Sequence, residues 1–265
     1  VVWLKRLKAS ETWLAVALGF LVPAGHLLVA SVERWSAVGL DASLLDKTLN
    51  TLIFASIATL IAALLAFVLV YSLRLARAAP GMRLLVRIAS LGYAVPGTVL
   101  AIGLLGPLGW LDATLDNHAQ QLFGISTGLL LSGTGAALVY AYVARFLAIG
   151  TGSVEAGFHK IPYSLDDAAR SLGTGASARA RLIHWPLARP ALAAAMLLIF
   201  VDCMKELPAS LLLRPLNVDT LATHLYGEAS RGSYESGAMA ALLIVLAGVL
   251  PIVLLSRYGM KQASH

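Results

Sequence analysis

The chain has 265 residues, 58% hydrophobic and 13% charged, with a mean hydropathy of +0.80 and a formal net charge of +6. Soluble domains average roughly 45–50% apolar and about 25% charged residues, so too little charge is present to cover a water-facing surface and an integral membrane protein is expected. One cysteine, Cys203, excludes a disulfide framework and any multi-thiolate metal centre.

A spanning helix needs about 20 mostly apolar residues, because the hydrocarbon layer is roughly 30 Å thick and each residue rises about 1.5 Å. Six stretches qualify: residues 13–32, 49–72, 84–110, 125–149, 191–213 and 237–256. Their apolar runs lack a period of two, which favours helices over a lipid-embedded barrel. Lys5, Arg6 and Lys8 precede the first stretch, so the positive-inside rule puts the N-terminus in the cytoplasm. No cleavage site follows promptly, and five further stretches argue against a signal peptide. The first residue is Val1 rather than Met, which fits a processed product or a piece of a longer chain.

Arg74, Arg77, Arg83 and Arg87 make the connection after the second stretch cytoplasmic. In the third stretch, Pro96-Gly97 is expected to break the helical ladder and free carbonyls to line a cavity, to which Tyr93 offers a hydroxyl. Residues 112–121 carry no Lys or Arg and read as an outward loop. The fourth stretch pairs Gly128 with Ser132 and Gly133 with Ala137 at small-xxx-small spacing, which suits close helix packing. Arg145, near its inner end, is expected to snorkel to the cytoplasmic interface.

A cytoplasmic connection of about forty residues follows, reading Ile161-Pro-Tyr-Ser-Leu-Asp-Asp-Ala-Ala-Arg-Ser-Leu-Gly173 at its centre. Ser164 and Asp167 have capping-box spacing. Leu165, Ala168, Ala169 and Leu172 recur at i, i+3, i+4 and i+7 as one apolar face, and Gly173 supplies the stop. A second short helix over 177–183 is expected to end at Pro186. A capped helix with a small-residue face, protruding from two spans, suits docking into a partner's groove.

In the fifth stretch Asp202, Lys205 and Glu206 share one face, with Lys205 able to pair with either acid. Ionised groups at this depth cost about 2.5–3.5 kcal/mol on insertion scales, so they line a translocation path or lock the helix to a neighbour; both readings stand. Pro208 marks a second break. Beyond it, Arg214 and Arg231 are offset by Asp219, Glu228 and Glu235, so the segment faces outward, and Arg257 with Lys261 returns the C-terminus to the cytoplasm.

The series Asp167-Ala168-Ala169, three residues, Gly173, nine residues, Ile183, one residue, Pro186 resembles the EAA loop of ATP-binding-cassette importer permeases. Asp167 stands where that family usually has Glu, and Trp185 where it often has Leu; both keep the character of the position. The resemblance implies an all-α membrane protein of the type I importer permease fold, with six transmembrane helices and a coupling helix seated in a cleft of a cytoplasmic ATPase dimer. It makes Asp167, Ala168, Ala169, Gly173, Ile183 and Pro186 the ATPase-coupling residues. Residues 91–103, 205–215 and 219–223 resemble the ferric-iron-type permeases, in which two six-span halves are commonly fused. This chain looks like the C-terminal half, with thiamine and phosphonate permeases sharing much of the wording.

The organisation expected is an N-terminal segment and first span over 1–48, then a five-helix core over 49–265 with the loop at about 155–189. Tyr93, Pro96, Asp202, Lys205, Glu206 and Pro208 are candidates for a path or gate. The chain carries no G-x-x-x-x-G-K-[ST] loop, H-E-x-x-H pair or G-x-S-x-G elbow, so no catalytic, metal or cofactor site is expected. ATP and Mg belong on the partner ATPase. The other partners implied are a second permease domain, a periplasmic solute-binding protein and membrane lipid, with no nucleic acid: Arg170, Arg179 and Arg181 sit in a segment tethered at both ends, without the third helix of a DNA-binding module. The expected place is the bacterial inner membrane. An ion-coupled secondary transporter also accommodates intramembrane charges and broken helices, and stays as the alternative.

Overall fold

The computed structural model describes residues 13–39, 42–77 and 79–263 and, beyond residue 249, no side chain but that of Val253. Lys5, Arg6 and Lys8 lie outside the described residues, as do the side chains of Arg257 and Lys261. Among the described residues every regular element is helical: α1 (Val22–Val38, after a π-helical turn Ala17–Leu21), α2 (Ala42–Leu75), α3 (Pro80–Ala89), a 3-10 turn (Leu91–Tyr93), α4 (Gly97–Phe123), α5 (Gly135–His159), α6 (Tyr163–Ser171), α7 (Ala176–Arg179, running through a π-helical turn Ala180–His184 into α8, Trp185–Met204), α9 (Pro208–Leu213), α10 (Leu221–Ser230) and α11 (Tyr234–Ala263).

Five helices are long and apolar enough to cross a membrane: Trp13–Ala37, Ala42–Leu75, Gly97–Phe123, Gly135–His159 and Ala176–Met204. The sixth expected stretch falls within α11, whose described apolar part is Tyr234–Val249. The chain is a multi-pass membrane protein.

The centre is a three-helix contact of α2, α5 and α8. Apolar lipid removes most of the hydrophobic drive between helices, so they associate where small side chains let backbones approach. On α2, Ala55, Ala58, Ala62 and Ala66 recur three or four residues apart and are fully buried. Opposite them stand Ala137, Ala141 and Gly150 on α5 and Ala188 and Ala195 on α8. The approach is close enough that a Cβ on Gly150 would fall 2.9 Å from the Ala66 Cβ. Ile53, Ile57, Leu60 and Leu64 cover the outside of α2, the side an apolar solvent would wet.

The structure corrects the boundaries of two expected spans. Residues 84–110 do not form one helix: α3 ends, the 3-10 turn lies against α5, and α4 begins at Gly97. Pro96 (φ −55°, ψ 137°) is the N-cap of α4, so the break comes at the helix start. Residues 112–121 are consequently helical and form the end of α4 instead of an outward loop. Residues 125–134 are non-helical, which places Gly128, Ser132 and Gly133 in a loop and removes them from helix packing. Two carboxylates on α4 hold that loop. Asp116 Oδ1 accepts from the backbone N–H of Thr127 at 2.6 Å and of Gly128 at 3.1 Å, while fully buried Asp112 accepts from the N–H groups of Leu131 at 2.7 Å and Ser132 at 2.8 Å. Donors that a helix would have satisfied internally are satisfied by side chains instead.

Candidate functional site

The connection between α5 and α8 is organised by a carboxylate other than the expected one. Pro162 is the N-cap of α6 and no side chain caps it, so the Ser164–Asp167 capping box does not form. A capping box is found at α10 instead, where Thr220 and Thr223 each bond the other's backbone N–H. At the far end of α6 the expected stop is present: Gly173 takes φ +75°, its N–H donates to the Arg170 carbonyl, and the Thr174 N–H donates to that of Ala169. These paired bonds close the helix end, and a left-handed residue there costs least as glycine.

Asp166 turns inward. Its Oδ2 lies 2.7 Å from Arg74 Nε at the end of α2, and its Oδ1 lies 3.0 Å from His184 Nε2, not aligned for a hydrogen bond. The Arg74 guanidinium also donates to the carbonyls of Phe158 (3.0 Å), Ile161 (2.9 Å) and Pro162 (3.1 Å), and it lies over the Tyr163 ring at 4.5 Å. Tyr71 donates to the Ala176 carbonyl at 2.6 Å. His184 is wedged between the rings of Phe158 and Tyr71, with centroids 5.5 Å and 5.1 Å away. Three elements, the ends of α2 and α5 and the π-helical turn before α8, are thereby joined to α6. Sequence reading passed over Asp166 because the motif drew attention to its neighbour; an Arg in the last turn of a span, with no acid near it in sequence, was the available signal.

This places the expected coupling residues. Asp167 is exposed and pairs with exposed Arg77 at 3.1 Å. Ala168 is exposed, Ala169 is buried, Gly173 and Pro186 are exposed, and Ile183 is half-buried. Of the predicted apolar face only Ala169 faces the body, while Leu165 and Leu172, the latter 85% exposed, point away. The physical reason is the Arg74 charge: ion pairing fixes Asp166 inward, Ala169 follows one turn later, and the leucines are rotated outward. Nor does Pro186 end a helix. The chain runs helically through it, because the preceding turn is π-helical and its wider ladder absorbs the missing N–H.

Deeper in the body, a second ion pair links α5 to the break between α8 and α9. Arg145 lies mid-helix and does not snorkel: its Nε is 3.5 Å from Glu206 Oε2, and its Nη1 reaches the Val95 carbonyl at 3.4 Å. Glu206 Oε1 also accepts the Ala209 N–H at 3.3 Å, and the Glu206 carbonyl accepts from the Ser210 hydroxyl, itself 2.6 Å from Tyr142 Oη. A Cβ on Gly97 would press on Arg145 Nη1 and sit 2.6 Å from Glu206 Oε1, so the pair closes over the start of α4 in this geometry because position 97 carries no side chain. The Pro96–Gly97 break and Glu206 therefore lie against Arg145, and Pro208 begins α9 two residues beyond Glu206. Tyr93 is exposed, its ring 6.5 Å from that of Phe146. Among the described residues Lys205 pairs with Asp202 alone, at 2.7 Å, and is 62% exposed, so the expected three-residue cluster is two separate pairs. Among the described residues no group of three His, Cys, Asp or Glu side chains is placed to hold a metal.

A solved bacterial alginate ABC transporter, described in complex with an alginate-bound periplasmic protein, contains a chain that superposes with a TM-score of 0.72 over 96% of this chain and 91% of that one, at 14% identity. The chain has the fold of an ABC importer permease. Its sequence relatives agree. It is 27% identical over 175 residues to the Fe(3+)-transport system permease protein FbpB 2 of Haemophilus influenzae, covering 66% of this chain and 31% of that protein. It is 32% identical over 123 residues to the maltose/maltodextrin transport system permease protein MalG of Escherichia coli, covering 46% of this chain and 41% of that one. The chain thus matches about a third of the length of the iron-transport relative. No family model matches it.

Proposed function

We propose that this permease chain is one transmembrane domain of an ATP-driven importer in the bacterial inner membrane, taking ferric iron from a periplasmic binding protein. Both termini face the cytoplasm in this reading, and a second permease domain completes the pore. The observation that carries it is α6: a closed helix with Leu165, Ala168 and Leu172 outward, held from behind by Asp166, Arg74 and His184. An exposed apolar face on a firmly anchored helix suits a groove on a partner, and the anchor transmits the partner's movement to α2 and α8. The partner is a separate ATPase that binds ATP and Mg. When two such subunits close, two α6 helices move together and the spans tilt to open the path toward the binding protein. The match to ferric-iron permeases supports iron as cargo.

The test is uptake into vesicles holding the assembled importer, supplied with ATP and an iron-loaded binding protein. Gly173→Asp should abolish ATP-dependent uptake while leaving membrane insertion intact, because φ +75° and an added charge distort the end of α6. Uptake that persists in this variant, or that follows an ion gradient without ATP, overturns the assignment.

A further inference from the structure

The segment that joins α6 to α8 holds one residue more than an α-helix would use. Between Ala180 and His184 the ladder is π-helical, and the Trp185 N–H closes it by donating to the Ala180 carbonyl, five residues back. Pro186 follows at once. In α register its ring would press on the Leu182 carbonyl, which its missing N–H could not serve. The same closure precedes Pro23, whereas Pro107 and Pro190 lie within α4 and α8 without a π-helical turn immediately before them. A proline therefore favours such a turn without forcing it, and the flanks must contribute.

Both flanks are held. Upstream, the Ala176 carbonyl accepts the Tyr71 hydroxyl at 2.6 Å, and the side chain of Arg179, 5% exposed, reaches the Asp166 carbonyl at 3.5 Å. Downstream, the Trp185 ring meets that of Phe67 edge-on at 5.4 Å, and fully buried Ala188 packs with Phe67, Val70 and Phe158. The His184 ring braces the turn itself, with Nδ1 3.1 Å from the Arg179 carbonyl. Conversion to α register would rotate one flank against the other by about 100° and separate them by about 1.5 Å. The two sets of contacts could not both survive that. We propose that Pro186 is a positioning residue: by holding the π-helical turn it sets the rotational phase of α7 against α8, and with it the connection through which α6 moves α8. This rests on the reading of α6 as the helix on which the ATPase acts, and it gives exposed Pro186 a role inside the chain instead of a contact with the partner.

The experiment is pulsed electron paramagnetic resonance on the full chain in its purified complex, with spin labels on Arg77→Cys and Ser177→Cys, both exposed positions; Cys203 is buried and stays in place. Pro186→Ala should shift the label distance by about 5 Å or more as α7 turns, and should lower ATP-dependent uptake by the unlabelled protein severalfold. Deletion of Leu182, which is 68% exposed, removes the extra residue, so in the Pro186→Ala background it should return both distance and uptake toward wild type. Deletion of Leu182 alone should leave the distance unchanged, whereas a deletion in an ordinary helix turns its flanks by about 100°. Thermal unfolding checks that each variant is folded; if Pro186→Ala is not, the single deletion decides. An unchanged distance in folded Pro186→Ala, a shifted distance on deleting Leu182 alone, or a double variant that keeps the Pro186→Ala distance overturns the proposal. So does full uptake in a variant whose distance has shifted. The distances are read without ATP, so ATP-independent uptake alongside the expected distances counts against the importer assignment alone.

Discussion

Two buried ion pairs in this protein have opposite construction. Arg74 and Asp166 meet at 2.7 Å, and the guanidinium spends its remaining donors on three carbonyls. Arg145 and Glu206 stand 3.5 Å apart, and the Arg145 Nε has no hydrogen-bond partner among the described residues. A buried pair offsets its desolvation only with good geometry and further hydrogen bonds, so the first is a rigid joint and the second a loose one. The rigid joint ties α6 to the ends of α2 and α8, as the proposed function requires of a helix that moves with them. The loose joint lies beside two helix breaks, where a path through the body would have to open and close.

Removing one partner of the rigid joint should have the largest effect. Arg74→Met strands buried Asp166 and takes one donor from each of three carbonyls, two of which keep a backbone N–H partner, and a loss of about 3–5 kcal/mol is expected, read as a fall in unfolding temperature in detergent. Arg145→Met should cost less, about 1–3 kcal/mol, because fewer good hydrogen bonds are lost. A double-mutant cycle on each pair sharpens the contrast: the coupling energy of Arg74 with Asp166 should exceed that of Arg145 with Glu206, and equal values would break it. Gly97→Ala forces a methyl against the Arg145 and Glu206 side chains and should cost about 1–3 kcal/mol, an added cost that should shrink in a background carrying both Arg145→Ala and Glu206→Ala. The smallest change is expected from Asp167→Asn. Its pair with Arg77 is solvent-exposed on both sides, so stability should move by no more than about 0.5 kcal/mol, in clear contrast to Asp166→Asn at the next position.

Much of this was legible in one dimension, and the misreadings have definite causes. Apolar length located the membrane crossings but not their ends, since hydropathy does not register Pro96 as a cap or the side-chain bonds that keep 125–134 out of a helix. Periodicity found α6 and its stop at Gly173, because both depend on local backbone geometry. It misjudged which side faces inward, because that side was decided by Arg74, ninety-two residues from Asp166 in sequence. Arg145 was read as a snorkelling residue for a similar reason: its acid, Glu206, comes from another helix.

The amino-acid sequence alone determined that this chain lives in a membrane, that its elements are helices and that a patterned loop separates two of them. Those follow from composition, spacing and backbone preference, which act over a turn or two. Only the tertiary structure decided which carboxylate anchors α6 and which cation meets Glu206. Charges at membrane depth choose partners by proximity in space, and proximity exists only once the helices have packed.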